Sequence, residues 1–397
     1  MALELDFDNT EIAFEHYTEQ ELKETYRLFK MMNNHNLVKV GSALVSVISR
    51  FKIPIFDPLI RATLFDHFCG GINLLDCQST IDRLYKNKTM SILDYGAEAH
   101  DSEKDFDKTC NEVIKAVQFG ASNASVPVVS MKISSIARNG LLEKWQGGKT
   151  ALEPSEQHEL DKVRKRMHKI IHFGSDMDVG VFLDAEETWV QESMDALADE
   201  MMETYNKKRV IVYNTFQLYR KDRLEFLKKS FEKAIAKNYF LGAKIVRGAY
   251  MVKERALAEE KGISSPIYDT KEETDNAFDS AVEFCIDNYN RISLCNASHN
   301  ATSALKMAQL ISDRAIPKNH SHLNFCQLMG MSDNITFNLA HQGFNVAKYV
   351  VYGPIHEVIP FLIRRAQENT SITGDVSREL GFIIKEMERR KSLTQKL

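Results

Sequence analysis

Over residues 1 to about 88 the apolar positions recur at helical intervals, as at Leu22, Tyr26, Leu28 and Phe29, and no run reads as a strand. This pattern predicts a helical N-terminal extension. From residue 89 short β-branched runs alternate with longer amphipathic stretches, which is the texture of βα units around a parallel sheet. The expected strands are Thr89 to Tyr95, Val126 to Ile133, Val179 to Asp184, Arg209 to Phe216, Ala243 to Ala249, Ile292 to Ala297, His322 to Leu328 and Ala347 to Tyr352. Segments between them, such as Arg223 to Lys237 and Asp275 to Asn288, keep the helical period and are long enough for crossovers. Eight strands, each followed by a helix, predict an α/β fold of the (β/α)8 TIM-type barrel class. An open doubly wound sheet shares the alternation, but the Gly-rich dinucleotide fingerprint is absent.

The stretch Asn139 to Phe173 exceeds an ordinary βα connection and carries the basic run DKVRKRMHK. It reads as a helical insertion whose charges form a solvated face. The expected organisation is therefore a helical extension at 1–88, a catalytic barrel at 89–375 with an insertion at about 139–173, and a helical tail at 376–397. No internal repeat or low-complexity tract is visible.

Composition narrows the function classes. Gly 18 and Pro 8 in 397 residues are sparse, which disfavours a turn-rich all-β protein. A net charge of -4 gives no global reason to bind nucleic acid or an anionic membrane. The six cysteines show no CxxC pair and sit among apolar neighbours, so they read as reduced core residues, with neither disulfides nor a metal site expected. The acidic start MALELDFDNTEIAFEH resembles no signal or transit peptide. Val40 to Ile48 is far shorter than the roughly 20 residues that span a bilayer. A cytoplasmic protein is expected, with at most peripheral contact at an inner membrane through the amphipathic, basic end GFIIKEMERRKSLTQKL.

In such barrels the chemistry sits at the carboxyl ends of the strands. Those ends are polar here: Asp94, Lys132, Asp184, Gln217, Arg247 with Tyr250, His299 with Asn300, and Tyr352. Their repetition suggests a polar ring facing one pocket. After the last strand, Ile355, Val358, Ile359, Leu362 and Ala366 make an apolar helical stripe. Arg364 and Arg365 flank it, and their long forks can converge on one carboxylate or phosphate. Glu368 lies one turn from Arg364, placed to orient it.

Lys244-Ile-Val-Arg-Gly-Ala-Tyr250, the stretch Thr270 to Asp275 and the closing segment from Tyr352-Gly-Pro to Arg364-Arg365-Ala-Gln-Glu-Asn resemble the proline dehydrogenase signature. The resemblance runs from about residue 89 to 370 and includes VSMKISS around Lys132, FLDAEET around Asp184 and SHN at His299. It implies an FAD-dependent barrel that oxidises L-proline to pyrroline-5-carboxylate and passes electrons to a quinone. By the same resemblance Arg364, Arg365 and Lys132 match the carboxylate-binding groups. Tyr352 matches the tyrosine over the pyrrolidine ring, and Asp184 matches a strand-end acid supporting the site. Gln217, Lys244, Arg247, Ala249, Tyr250, Ser298, His299, Asn300 and Glu368 match flavin-contacting positions. The chain has Lys244-x-x-Arg247 where many bacterial members have Arg-x-x-Lys, and Arg and Lys present their donors differently.

The chemistry suits these residues. Oxidising an amino acid needs a carboxylate clamp, a hydride acceptor and a dry cover. The clustered cations favour the neutral amine by opposing an ammonium. Three alternatives stand beside this reading: a hydroxyproline dehydrogenase, a class I aldolase with a Schiff base at Lys132 or Lys244, and a non-catalytic regulatory barrel.

Overall fold

The structure is a computed structural model that describes residues 4–34, 60–96, 102–370 and 375–395. The apolar run Val40 to Ile48 lies outside the described residues. Nine strands occur among the described residues: β1 (Cys69–Gly71), β2 (Met90–Tyr95), β3 (Val128–Lys132), β4 (Gly180–Asp184), β5 (Val212–Gln217), β6 (Leu241–Val246), β7 (Ile292–Ala297), β8 (Leu323–Leu328) and β9 (Asn345–Tyr352). From β2 to β9 they follow the eight runs read from the sequence, and the repeat is that of the (β/α)8 barrel. The short β1 is the addition. Its three residues, Cys-Gly-Gly, are too few and too small to show a strand period.

The chain divides into two compact units. The first comprises Met1–Leu3 and Ala99–Cys326, the second Glu4–Glu98 and Gln327–Leu397. In the first unit β3 to β8 pair in parallel in chain order, with Lys132 opposite Asp184, Leu183 opposite Asn214, Gln217 opposite Val246, Lys244 opposite Cys295 and Ala297 opposite Cys326. Val181, Ala243, Ile245 and Leu294 are fully buried on these strands, as expected of a parallel sheet covered by helices.

The expected insertion resolves into a helix Asn139–Trp145, a left-handed turn at Gln146 and Gly147, and a long helix Pro154–Met177. Arginines of its basic run are paired with acidic side chains. Arg166 bonds Glu103 at 2.6 Å and Asp107 at 2.7 Å, and Arg164 forks onto Glu200 at 2.8 and 2.9 Å.

In the second unit β9 lies between β1 and β2, all parallel. The helices Thr10–Phe14 and Glu19–Met32 pack with the C-terminal helix Asp375–Thr394. Thr18 and Glu21 cap the second of these reciprocally, a device worth about 1 kcal/mol. The basic C-terminal stretch turns inward. Ile383 and Glu386 are buried, and Arg390 donates to the carbonyls of Phe14 at 2.7 Å and Tyr17 at 2.9 Å. Among the described residues no helix is long and apolar enough to cross a membrane. All six cysteines are buried, and none of them is in a disulfide.

Candidate functional site

Strand alternation in the first unit puts Ser130 and Lys132 of β3, Phe182 and Asp184 of β4, and Lys244 of β6 in matching positions. Lys244 Nζ lies 2.5 Å from Asp184 Oδ1, and Ser130 Oγ donates to the same oxygen at 2.9 Å. The ammonium also sits 5.3 Å from the Phe182 ring centroid. Burial works to lower the Lys244 pKa, but the Asp184 charge and hydrogen bond outweigh it and the net direction is upward. Lys244 is therefore held as a cation. That is the wrong state for a Schiff-base nucleophile, which argues against the aldolase alternative at this residue.

Glu186 escaped the sequence reading, although it stands only two residues past Asp184. It is buried, accepts from Ser134 Oγ at 2.8 Å, and burial pushes its carboxyl upward against the opposing charge of Lys132. Its backbone oxygen takes the Gln217 amide at 2.7 Å. Gln217 is thus buried, with Nε2 committed to the protein.

β6 ends at Val246, earlier than the strand expected to reach Ala249. The reason is Gly248, whose φ of +135° no side chain adopts comfortably and whose added Cβ would meet the Tyr219 ring at 2.4 Å. The chain turns there, and Tyr219 N donates to Arg247 O at 2.8 Å. Arg247, Ala249 and Tyr250 accordingly lie in a loop after the strand. Arg247 Nε donates to Asp275 Oδ1 at 2.7 Å, Nη1 to Ser298 Oγ at 2.6 Å and Nη2 to Ser303 Oγ at 2.9 Å. Ser298 also accepts from Asn300 N at 3.1 Å. Asn300 Oδ1 caps the helix Ala301–Asp313 by accepting from Ser303 N at 3.1 Å. His299 sits between them, part-exposed.

The second unit carries the other expected residues. Ile355, Val358, Ile359, Leu362 and Ala366 are all buried on the helix Ile355–Thr370, as the stripe predicts, while Arg364 and Arg365 are part-exposed beside it. Arg365 lies 5.5 Å from the Phe361 ring centroid. The Glu368 side chain is outside what the structure describes.

Tyr352 is the last residue of β9, where it shares a face with Val350 and Lys348. Lys348 bonds Asp333 at 2.6 Å at the start of the helix Asp333–His341, and Val350 lies against Gly70, where an added Cβ would be 2.4 Å from its Cγ1. Tyr352 is 2% exposed and packs on Tyr95 with ring centroids 5.5 Å apart, while Tyr95 Oη donates to Glu357 at 2.7 Å.

The family model described as Proline dehydrogenase matches residues 77–378. Among curated relatives, Proline dehydrogenase 2, mitochondrial, from Arabidopsis thaliana is 31% identical, with 84% of this chain and 79% of the relative covered. The Carbapenem antibiotics biosynthesis protein CarD from Pectobacterium carotovorum subsp. carotovorum is 30% identical over 81% of this chain and 83% of its own. Among solved structures, proline utilization A (PutA) from Bdellovibrio bacteriovorus superposes with a TM-score of 0.72 at 21% identity, a likeness of fold. The match covers 91% of this chain and 38% of that one, so this chain spans well under half of the bacterial protein.

Proposed function

Because the chain belongs to the proline dehydrogenase family, we propose that it is an FAD-dependent oxidoreductase that converts L-proline to 1-pyrroline-5-carboxylate in proline catabolism. The observation that carries this reading is that the matched region, residues 77–378, contains every strand-end group described above and both arginines. FAD as the cofactor and a quinone as the electron acceptor rest on the resemblance of the motifs.

The donor chemistry of the first unit fits such a cofactor. Arg247, His299 and the start of the helix Ala301–Asp313 offer N–H donors and positive potential to a phosphate-bearing, hydrogen-bonding group. Arg247 is already held by protein acceptors and needs little reorganisation. Gln217, Lys244, Ala249, Tyr250, Ser298, Asn300 and Glu368 are proposed to complete the cofactor's surroundings. When bound, FAD supplies the hydride acceptor.

The chain's own residues do the rest. Arg364 and Arg365, with Lys132, bind the proline carboxylate and fix the orientation of the reacting carbon. These cations also lower the pKa of the substrate amine and favour its neutral form. Asp184 and Lys244 form a fixed ion pair beneath the strand ends, and Tyr352, at the end of β9, is the tyrosine proposed to cover the pyrrolidine ring.

The decisive experiment is anaerobic addition of L-proline to the purified protein while following flavin absorbance. Bleaching of the flavin band supports the reading. A protein that takes up no FAD, or whose bound FAD is not bleached by L-proline, overturns it.

A further inference from the structure

We propose that Asp275 is a positioning residue that restricts Arg247 to a single hydrogen bond with the flavin, an inference that rests on the FAD reading above. Arg247 stands where many bacterial relatives of the motif carry Lys, and a guanidinium has five N–H bonds to place. The structure accounts for four. Nε donates to Asp275 Oδ1 at 2.7 Å, and Nη2 lies 2.6 Å from the same oxygen. The second N–H of Nη2 goes to Ser303 Oγ at 2.9 Å, and one of Nη1 goes to Ser298 Oγ at 2.6 Å. One N–H on Nη1 is left without an acceptor among the described residues.

The remaining edge cannot make the two parallel N–H bonds by which arginine usually grips a phosphate. It suits one acceptor atom of FAD. The guanidinium cannot swing to do otherwise, because its face lies 4.4 Å from the buried Phe278 ring. Asp275 and Phe278 stand three residues apart on one face of the helix Lys271–Asp287. That helix is itself fixed at its start. Thr270 Oγ1 accepts from Glu273 N at 3.2 Å, and Glu273 Oε2 accepts from Thr270 N at 3.0 Å. Lys271 Nζ holds the other carboxylate oxygen of Asp275 at 2.5 Å. The stretch Thr270 to Asp275, noticed in the sequence as part of a signature, thus acts as a clamp on the arginine of the other motif.

A double-mutant cycle tests the proposal, with FAD binding to apoprotein measured by quenching of flavin fluorescence and the bound spectrum recorded for each variant. Asp275→Ala should weaken FAD binding roughly tenfold, the equivalent of one charge-assisted hydrogen bond. In an Arg247→Met background the same substitution should change binding less than twofold. Both single variants should shift the visible band of bound flavin in the same direction. If Asp275→Ala folds poorly by circular dichroism, Asp275→Asn, of the same shape, replaces it in the cycle and should give part of the loss with the same coupling. Binding within twofold of wild type in the Asp275 variant, or an equal loss in both backgrounds, overturns the proposal. Wild-type protein that binds no FAD removes the flavin reading and this inference with it.

Discussion

Lys244 and Asp184 form an ion pair with N and O 2.5 Å apart, each side chain no more than 15% exposed. Removing one partner strands the other's charge away from water, which costs far more than the pair contributes. Asp184→Ala should therefore destabilise the protein by about 3 to 5 kcal/mol in urea titrations. Combining Lys244→Met with Asp184→Asn should recover a large part of that loss. Simple additivity of the two single variants would show that the charges are not coupled.

Arg364→Met and Arg365→Met should each raise the KM for L-proline while FAD content stays at the wild-type level. Losing one charge-assisted bond to a desolvated carboxylate costs roughly 2 to 4 kcal/mol, or some thirtyfold to several hundredfold. Steady-state kinetics with flavin quantification reads both quantities. An unchanged KM in both variants would remove the carboxylate clamp.

Tyr352→Ser should narrow the preference in kcat/KM for L-proline over trans-4-hydroxy-L-proline by at most about 1 to 3 kcal/mol, mainly by weakening L-proline. It should also lower stability, because it empties the contact with Tyr95. An unchanged ratio in the variant would remove Tyr352 from the cover over the substrate ring.

Glu379 gives a prediction in pH. Burial pushes its carboxyl up to about 7, although it accepts a hydrogen bond from Ser332 N at 2.9 Å. With the folded pKa above the unfolded one, its stabilising share is full below about pH 4.5 and is lost as pH rises through about 7. Glu379→Gln keeps an acceptor for Ser332 without the titration. The variant should gain on wild type by a few kcal/mol between pH 5 and pH 8, measured by urea unfolding across that range. A constant difference between the two proteins would contradict the buried-carboxyl account.

Gly248→Ala should cost several kcal/mol and reduce FAD binding, since the residue needs a φ of +135° and its Cβ would overlap the Tyr219 ring. Thermal melts and FAD titration read the two effects. A variant with wild-type melting would mean the turn after β6 has slack that the geometry denies it.

The barrel repeat, the buried stripe beside Arg364 and Arg365, and the polar strand ends are all legible in the amino-acid sequence. Each depends on a local period or on residue type, and burial of apolar side chains makes such periods legible. Strand limits were legible to within a few residues, except where Gly248 ends β6, because the positive φ is a property of one turn and not of the run before it. What the sequence leaves open is the partner set of Arg247, which the folded chain takes from Asp275, Ser298 and Ser303, at separations of 28 to 56 residues along the chain. Hydrogen bonds between such distant residues leave no periodic trace, so folding alone assembles them.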